Sequence, residues 1–207
     1  MATDPLEMAI LCYDVYTIVG GYEIEKKIMR PYKSTRLVLQ EVTIDDLSAI
    51  HDLHSFPEVD EFNTLGIPKS KDETKEYLLS QIEAQQSNPR KSYFWKALLI
   101  NGNKFIGIAG MTLSADRFKC GEIFYKILPG HWNKGYATEL GKLLLKVGFK
   151  NFQLHRVEAG VATDNTRSIR VLEKIGMARE GLHRKILPIR GEWKDNYHYA
   201  IVEDDFN

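Results

Sequence analysis

The residues best suited to chemistry stand together: His131, Trp132, Asn133, Lys134, Gly135, Tyr136, Ala137, Thr138 and Glu139. An apolar, strand-like run at 122–128 precedes them, and a strongly periodic helix begins near Gly135. Gly135 and Ala137 keep bulk off the first helical turn, so a ligand can approach the backbone closely. The first N–H groups of a helix lack internal partners, and the aligned peptide dipoles add positive potential there. A strand, a small-residue turn and a bare helix N-terminus therefore make an anion cradle suited to a pyrophosphate. Two common phosphate loops are excluded, because neither G-x-x-x-x-G-K-[ST] nor G-x-G-x-x-G occurs. An ordinary glycine at a strand-to-helix corner has the same letters, so this turn needs support from elsewhere in the chain.

No second chemistry follows from spacing alone. His51 and His54 lie three apart on an expected helix with no third ligand in view, which reads as a solvated helix face. The six histidines form no H-E-x-x-H or C-x-x-H pattern. Cys12 and Cys120 are far apart and neither has a partner at metal-ligand spacing, so no metal is expected. Two such cysteines suit a reducing cytoplasm better than a disulfide. Lys plus Arg equals Asp plus Glu at 28 each, which argues against a broad nucleic-acid surface. Residues 8–19 are apolar but too short to span a bilayer, and Asp14 interrupts them. Asp4 and Glu7 precede that run, which makes it a poor signal peptide. A cytoplasmic protein without membrane attachment is expected.

The elements that must position the cradle can be read along the chain. Its 207 residues suit one domain with a sizeable core, or one domain with an appendage. Residues 1–33 read as an N-terminal extension, with 1–7 as a vector remnant ahead of a native Met8. Within it, 13–19 alternates as a strand closed by Gly20 and Gly21, an added edge strand or an oligomer arm that would serve a homodimer. From residue 34 the rhythm is regular. A strand at 35–41 leads to a helix opened by Thr43 with Asp46 and ending near His54. Ser70 with Glu73 forms a capping box for a helix to about Gln86. Strands at 93–100 and 104–113 join across Asn101, Gly102 and Asn103, and another follows at 120–128. Tyr136, Leu140, Leu143, Leu144 and Val147 form one apolar stripe on a helix at 135–150. A strand at 157–161, a helix capped by Asn165 and stopped by Gly176, and strands at 178–186 and 192–202 complete the order.

Several stretches together resemble one family. Trp132 to Ala137 is similar to the R/Q-x-x-G-x-G/A turn of the GNAT N-acetyltransferases, with Trp132 in place of Arg or Gln. Ser34, Arg36, Leu37 and Leu39 resemble the S-x-R-L-x-L opening of the RimJ/RimL type. Residues 132–139 resemble that group's W-G-K-G-Y-A-T-E, with Asn133 replacing a glycine. Asn165, Ser168, Arg170, Val171, Leu172, Glu173, Lys174 and Gly176 resemble N-x-x-S-x-R-V-L-E-K-x-G. Glu180 and Gly181, then Gly191, Trp193, Asp195 and Tyr199, resemble the closing E-G and G-x-W-x-D-x-x-x-Y. The matches run in order from Ser34 to about Ile201, so the acetyltransferase domain is set at 34–207.

The resemblance implies an α/β (α+β) GNAT fold. It is a mixed, twisted sheet of about seven strands with helices on both faces and a splay between two central parallel strands, here 122–128 and 156–161. It implies acetyl-CoA as cosubstrate, no metal, and direct attack by an amine on the thioester. Ile127, Leu128, Trp132, Asn133, Lys134, Gly135, Tyr136, Ala137, Thr138, Asn165 and Ser168 become the expected cofactor contacts. Ser168 inherits the role of protonating the leaving sulfur, beside the plainer role of a helix-end residue, and Tyr199 is a weaker second acid. The glutamate that some relatives carry seven positions after the E-G glutamate is Leu187 here. The base role therefore passes to Glu122 acting through water, with pairing to a neighbouring Lys or Arg as the alternative and His183 third. Arg167 and Arg170 read as surface ion pairs or phosphate contacts. The loop around Asp60, Glu61 and Phe62 shapes the acceptor pocket in this family, and its acids can attract a cationic amine. The acceptor is a peptide N-terminus or a small-molecule amine. The alternative is a catalytically silent acyl-CoA-binding module that acts through protein partners.

Overall fold

The computed structural model of the chain describes residues 13–19, 22–28 and 31–206, the first two stretches through their backbone alone. The expectations for residues 1–7, Met8, Cys12 and the Gly20 and Gly21 corner lie outside the described residues. Strands β1 (Tyr13–Val19) and β2 (Tyr22–Ile28) pair antiparallel in a sheet of their own. The strand at 22–28 was not expected, because its charged residues hide the alternation.

The remaining elements are β3 (Tyr32–Lys33), β4 (Leu37–Glu41), α1 (Leu47–Ser55), α2 (Pro57–Asp60), α3 (Lys71–Gln85), β5 (Ser92–Leu99), β6 (Phe105–Leu113) and β7 (Cys120–Ile127). Then come α4 (Tyr136–Lys146), β8 (Arg156–Ala162), α5 (Thr166–Lys174), β9 (Ala178–Ile189) and β10 (Glu192–Val202). Strands β3 to β10 form one mixed sheet of eight in the order β3-β4-β5-β6-β7-β8-β10-β9. The two-residue β3 is the addition to the seven expected. Every neighbouring pair is antiparallel except β7 and β8.

Local chemistry sets the element ends. Asp46 Oδ2 accepts bonds from the Thr43 N–H and hydroxyl, which fixes the turn into α1. Ser70 Oγ accepts from the Glu73 N–H at 3.3 Å, the expected cap of α3. Gly102 takes φ +82° in the β5–β6 turn, a backbone state that costs glycine little. The α-helical part of α4 stops at Lys146, short of Lys150. A π turn follows at 147–151, closed by the Phe152 N–H on the Val147 carbonyl.

The sheet divides the core in two. One face carries Leu37, Leu39, Trp95, Met111 and Ile123 under Leu140 and Leu144 of α4 and Leu172 of α5. The other carries Phe94 and Ile108 under Ile50 and Leu53 of α1 and Leu78 of α3. Burying each such side chain contributes roughly 1.5–3 kcal/mol. On β7 the alternation sends Ile123, Tyr125 and Ile127 into the first core and Phe124, which stacks on Phe94, to the second side.

The parallel pair is short. β7 and β8 meet only at Cys120 with Arg156, Gly121 with Val157 and Glu122 with Glu158. Beyond Glu122, β7 keeps β6 as its partner through Ile127, while β8 keeps β10 through Ala162. The two strands therefore part immediately after Glu122, which is the splay expected between 122–128 and 156–161.

Candidate active site

The anion cradle lies at the end of β7, beside this opening. Gly135 is the N-cap of α4 with φ +77° and gives the helix no side-chain cap. The contrast with α5 is direct, because there the Asn165 side chain accepts the Ser168 N–H at 3.1 Å. A Cβ placed on Gly135 would come within 4 Å of one atom only, Arg36 Nη2 at 3.4 Å. An uncapped helix start with open space before it fits a diphosphate. Asn133 also has positive φ, +59°, which turns the chain so that Lys134 and Gly135 lead into the helix. Trp132 is anchored by its Nε1–H on the Ile127 carbonyl at 2.7 Å, and Lys134 Nζ donates to the Gly130 carbonyl at 2.7 Å. Tyr136, Ala137 and Thr138 form the first turn, and Leu128 follows the end of β7.

A clamp holds that turn in place. Glu139 accepts from the Ser34 hydroxyl at 2.8 Å, the Arg36 N–H at 2.7 Å and Arg36 Nε at 2.6 Å. Burial works against the Glu139 carboxylate, but these bonds outweigh it and hold its pKa below the usual range. The Arg36 guanidinium also lies 4.4 Å from the Tyr136 ring centre and donates to the Lys134 carbonyl. Ser34, Arg36 and Glu139 stand in the matched motifs, yet no role attached to them from sequence alone.

Ser168 and Asn165 meet as expected, and a residue taken for core joins them. The Tyr125 hydroxyl lies 3.1 Å from Ser168 Oγ. Burial pushes the Tyr125 hydroxyl up to about 12, and its bond to Ser168 pulls the other way. Tyr125 therefore remains protonated at neutral pH and bridges β7 to the start of α5 across the opening. Tyr199 is different. It is 1% exposed in the main core, and its hydroxyl donates to Glu173.

Glu122 is exposed at the point where the strands part, and among the described residues it makes no ion pair. The neighbouring arginine goes elsewhere, since Arg156 Nε pairs with Glu158 at 2.6 Å and its Nη atoms pair with Glu180. His198 Nε2 approaches Glu158 at 3.5 Å and stacks on His183. Burial pushes the Cys120 thiol up to about 11, with the Glu158 carboxylate adding to the effect, so it stays a thiol. Ile127 and Glu122 thus sit at opposite ends of the part of β7 that faces the gap.

On the side of α1 and α2 the expectation changes. His54 is not on a solvated face. It is 6% exposed, and its ring packs against Tyr77 of α3 with centroids 5.7 Å apart. Burial and the nearby Lys126 charge lower its pKa to about 3, so it is neutral. Asp60, at the end of α2, is 3% exposed. Its Oδ2 lies 3.5 Å from Arg190 Nε, and Arg190 also donates to the Pro57 carbonyl. Glu61 pairs with Arg167 at 2.9 Å, and the Arg167 guanidinium lies 4.4 Å from the Trp132 ring centre. The surface ion pair expected for Arg167 is therefore present. It ties the segment after α2 to the turn before α4. Among the described residues no group of three or more His, Cys, Asp or Glu is arranged to hold a metal, and no helix is long and apolar enough to cross a membrane.

A parted parallel pair, an uncapped helix start at its mouth and a serine–tyrosine contact across it are the features by which this fold is placed. The model of the acetyltransferase (GNAT) domain matches residues 36–178. This chain belongs to the GNAT acetyltransferase family. It is 31% identical over 171 residues to the uncharacterized N-acetyltransferase YoaA of Bacillus subtilis, covering 83% of this chain and 96% of that one. It is 45% identical to another from the same bacterium, YnaD, over 86 residues that span 42% of this chain and 51% of that protein. A solved GNAT-family acetyltransferase from Bacillus anthracis superposes with a TM-score of 0.73 at 32% identity, covering 84% of this chain and 99% of its own.

Proposed function

We propose that this chain transfers an acetyl group from acetyl-CoA to a primary amine, on a small molecule or a peptide N-terminus, by direct attack. The observation that carries this reading is the opening between β7 and β8 after Glu122, flanked by the uncapped start of α4. The residues present fit the cosubstrate. Trp132, Asn133, Lys134, Gly135, Tyr136, Ala137 and Thr138 would hold the pyrophosphate, with Ile127 and Leu128 beside the arm and Asn165 and Ser168 near its thiol end. Bound acetyl-CoA supplies an activated acyl carbon.

The chain's own groups then manage two protons. Glu122, exposed and without an ion pair among the described residues, takes the proton of the attacking amine through water. As the new N–C bond forms, the C–S bond breaks and the sulfur needs a proton. Ser168 delivers it, and Tyr125, protonated and bonded to Ser168, can replenish it. Thiol release from acetyl-CoA, followed over a panel of amines and N-terminal peptides, tests the reading. Release that depends on an amine, with a mass gain of one acetyl group on that amine, supports it. Acetyl-CoA binding without release would favour a silent binding module.

A further inference from the structure

The face of β7 that looks toward α1 and α2 carries Phe124 and Lys126 beyond Glu122, past the point where β8 departs. Phe124 is 37% exposed and gives an apolar floor. Lys126 is half-buried and, among the described residues, makes no hydrogen bond or ion pair. Burial lowers its pKa to about 8, and the Asp60 carboxylate only partly restores it.

Two other polar atoms beside it lack partners. His54 Nε2 and Asp60 Oδ1 are both buried and make no hydrogen bond. Asp60 directs its other oxygen toward Arg190, and His54 is neutral, so neither serves as a full counter-ion for Lys126. A half-buried cation without an ion-pair partner is costly, and so is each buried polar atom left unbonded. Lys126 lies near both, since its charge acts on His54 and the Asp60 carboxylate acts on it, and it is the partly exposed member of the three, the one a ligand can reach.

Resting on the transfer reading above, we propose that the acceptor is a primary amine bearing a carboxylate, an amino acid in its simplest form, and that Lys126 holds the carboxylate. The amine then points along Phe124 toward the gap. Same-face positions on a strand are about 7 Å apart, so the extended lysine bridges from its own position toward the gap. A polyamine fits less well. It would bring a second cation beside Lys126, and the acids that might draw it, Asp60 and Glu61, already face Arg190 and Arg167.

The test compares free amino acids with their carboxamides and with spermidine, in the wild type, Lys126→Met and Lys126→Arg. The carboxamide amine is the less basic of each pair, so without a carboxylate site it should react faster at neutral pH. The expected result is the reverse. The wild type favours the acid in kcat/KM by on the order of tenfold to a hundredfold, the scale of a hydrogen bond to a charged group. That ratio should collapse in Lys126→Met through KM and survive in part in Lys126→Arg. An unchanged acetyl-CoA thermal shift in each variant verifies that it is folded. A wild-type preference for carboxamide or spermidine, or a ratio that survives in Lys126→Met, overturns the carboxylate subsite and leaves the transferase standing. No thiol release with any acceptor overturns both.

Discussion

In the proposed mechanism Ser168 and Glu122 divide the proton work, and each can be tested alone. Ser168→Ala keeps the Asn165 cap, because that bond uses the Ser168 N–H. The variant should therefore fold and bind acetyl-CoA, while kcat falls by roughly 10²–10⁴. Steady-state kinetics with one acceptor decides it, and a wild-type kcat would reduce Ser168 to a helix-end residue. Glu122→Gln keeps the shape and removes the base. Its kcat/KM should lose the acid limb and fall at neutral pH. The amine's own ionisation also produces an acid limb, so both enzymes must be run with the same acceptor. Superimposable profiles would mean the amine arrives neutral. Ser168 could be found from sequence because its motif is local, with Asn165 three positions away. Tyr125 could not. Its contact with Ser168 spans 43 positions, and a tyrosine in a strand reads as core. Lys126 was missed for the same reason, since burial is set by α1 and α2 and not by its neighbours in sequence.

At the level of elements, the cradle depends on the start of α4 being bare. Gly135→Glu places a carboxylate where the proposed mechanism puts the pyrophosphate and forces a side chain into a positive-φ position. Acetyl-CoA at about 100 times its Kd should stabilise the wild type by roughly 2.7 kcal/mol, seen as a rise in Tm. The variant should show no rise, and calorimetric titration should find no binding. An affinity equal to wild type would remove the cradle from this turn. Caps were the most readable parts of the chain, because Thr43, Ser70 and Asn165 each act within three residues. The clamp of Arg36 on Glu139 was not readable, being 103 positions long. The early end of α4 in a π turn has no composition signal, since residues 147–151 continue the apolar pattern.

For the whole molecule, the order of strands and helices followed from periodicity, but the splay did not. Pairing between β7 and β8 stops after three residues through non-local geometry, and only the family resemblance pointed to it. Buried His54 gives the fold a pH dependence. Its pKa is about 6.5 unfolded and about 3 folded, so below pH 6.5 the unfolded chain binds a proton that the folded one refuses. Stability should fall as pH drops from 6.5 toward 3, and this contribution should vanish above 6.5. By pH 5 the loss is about 2 kcal/mol from this one residue. Urea unfolding at pH 7 and pH 5 should show His54→Leu losing less than the wild type over that interval; equal losses would mean His54 is protonated in the fold.

The most direct test of acetyl transfer is thiol release from acetyl-CoA in the presence of single amines, with the amine's mass read at the end. Release should require both the protein and an amine, with one acetyl group appearing on the amine for each thiol freed. Tight acetyl-CoA binding with no amine-dependent release, across amino acids, polyamines and N-terminal peptides, would contradict it.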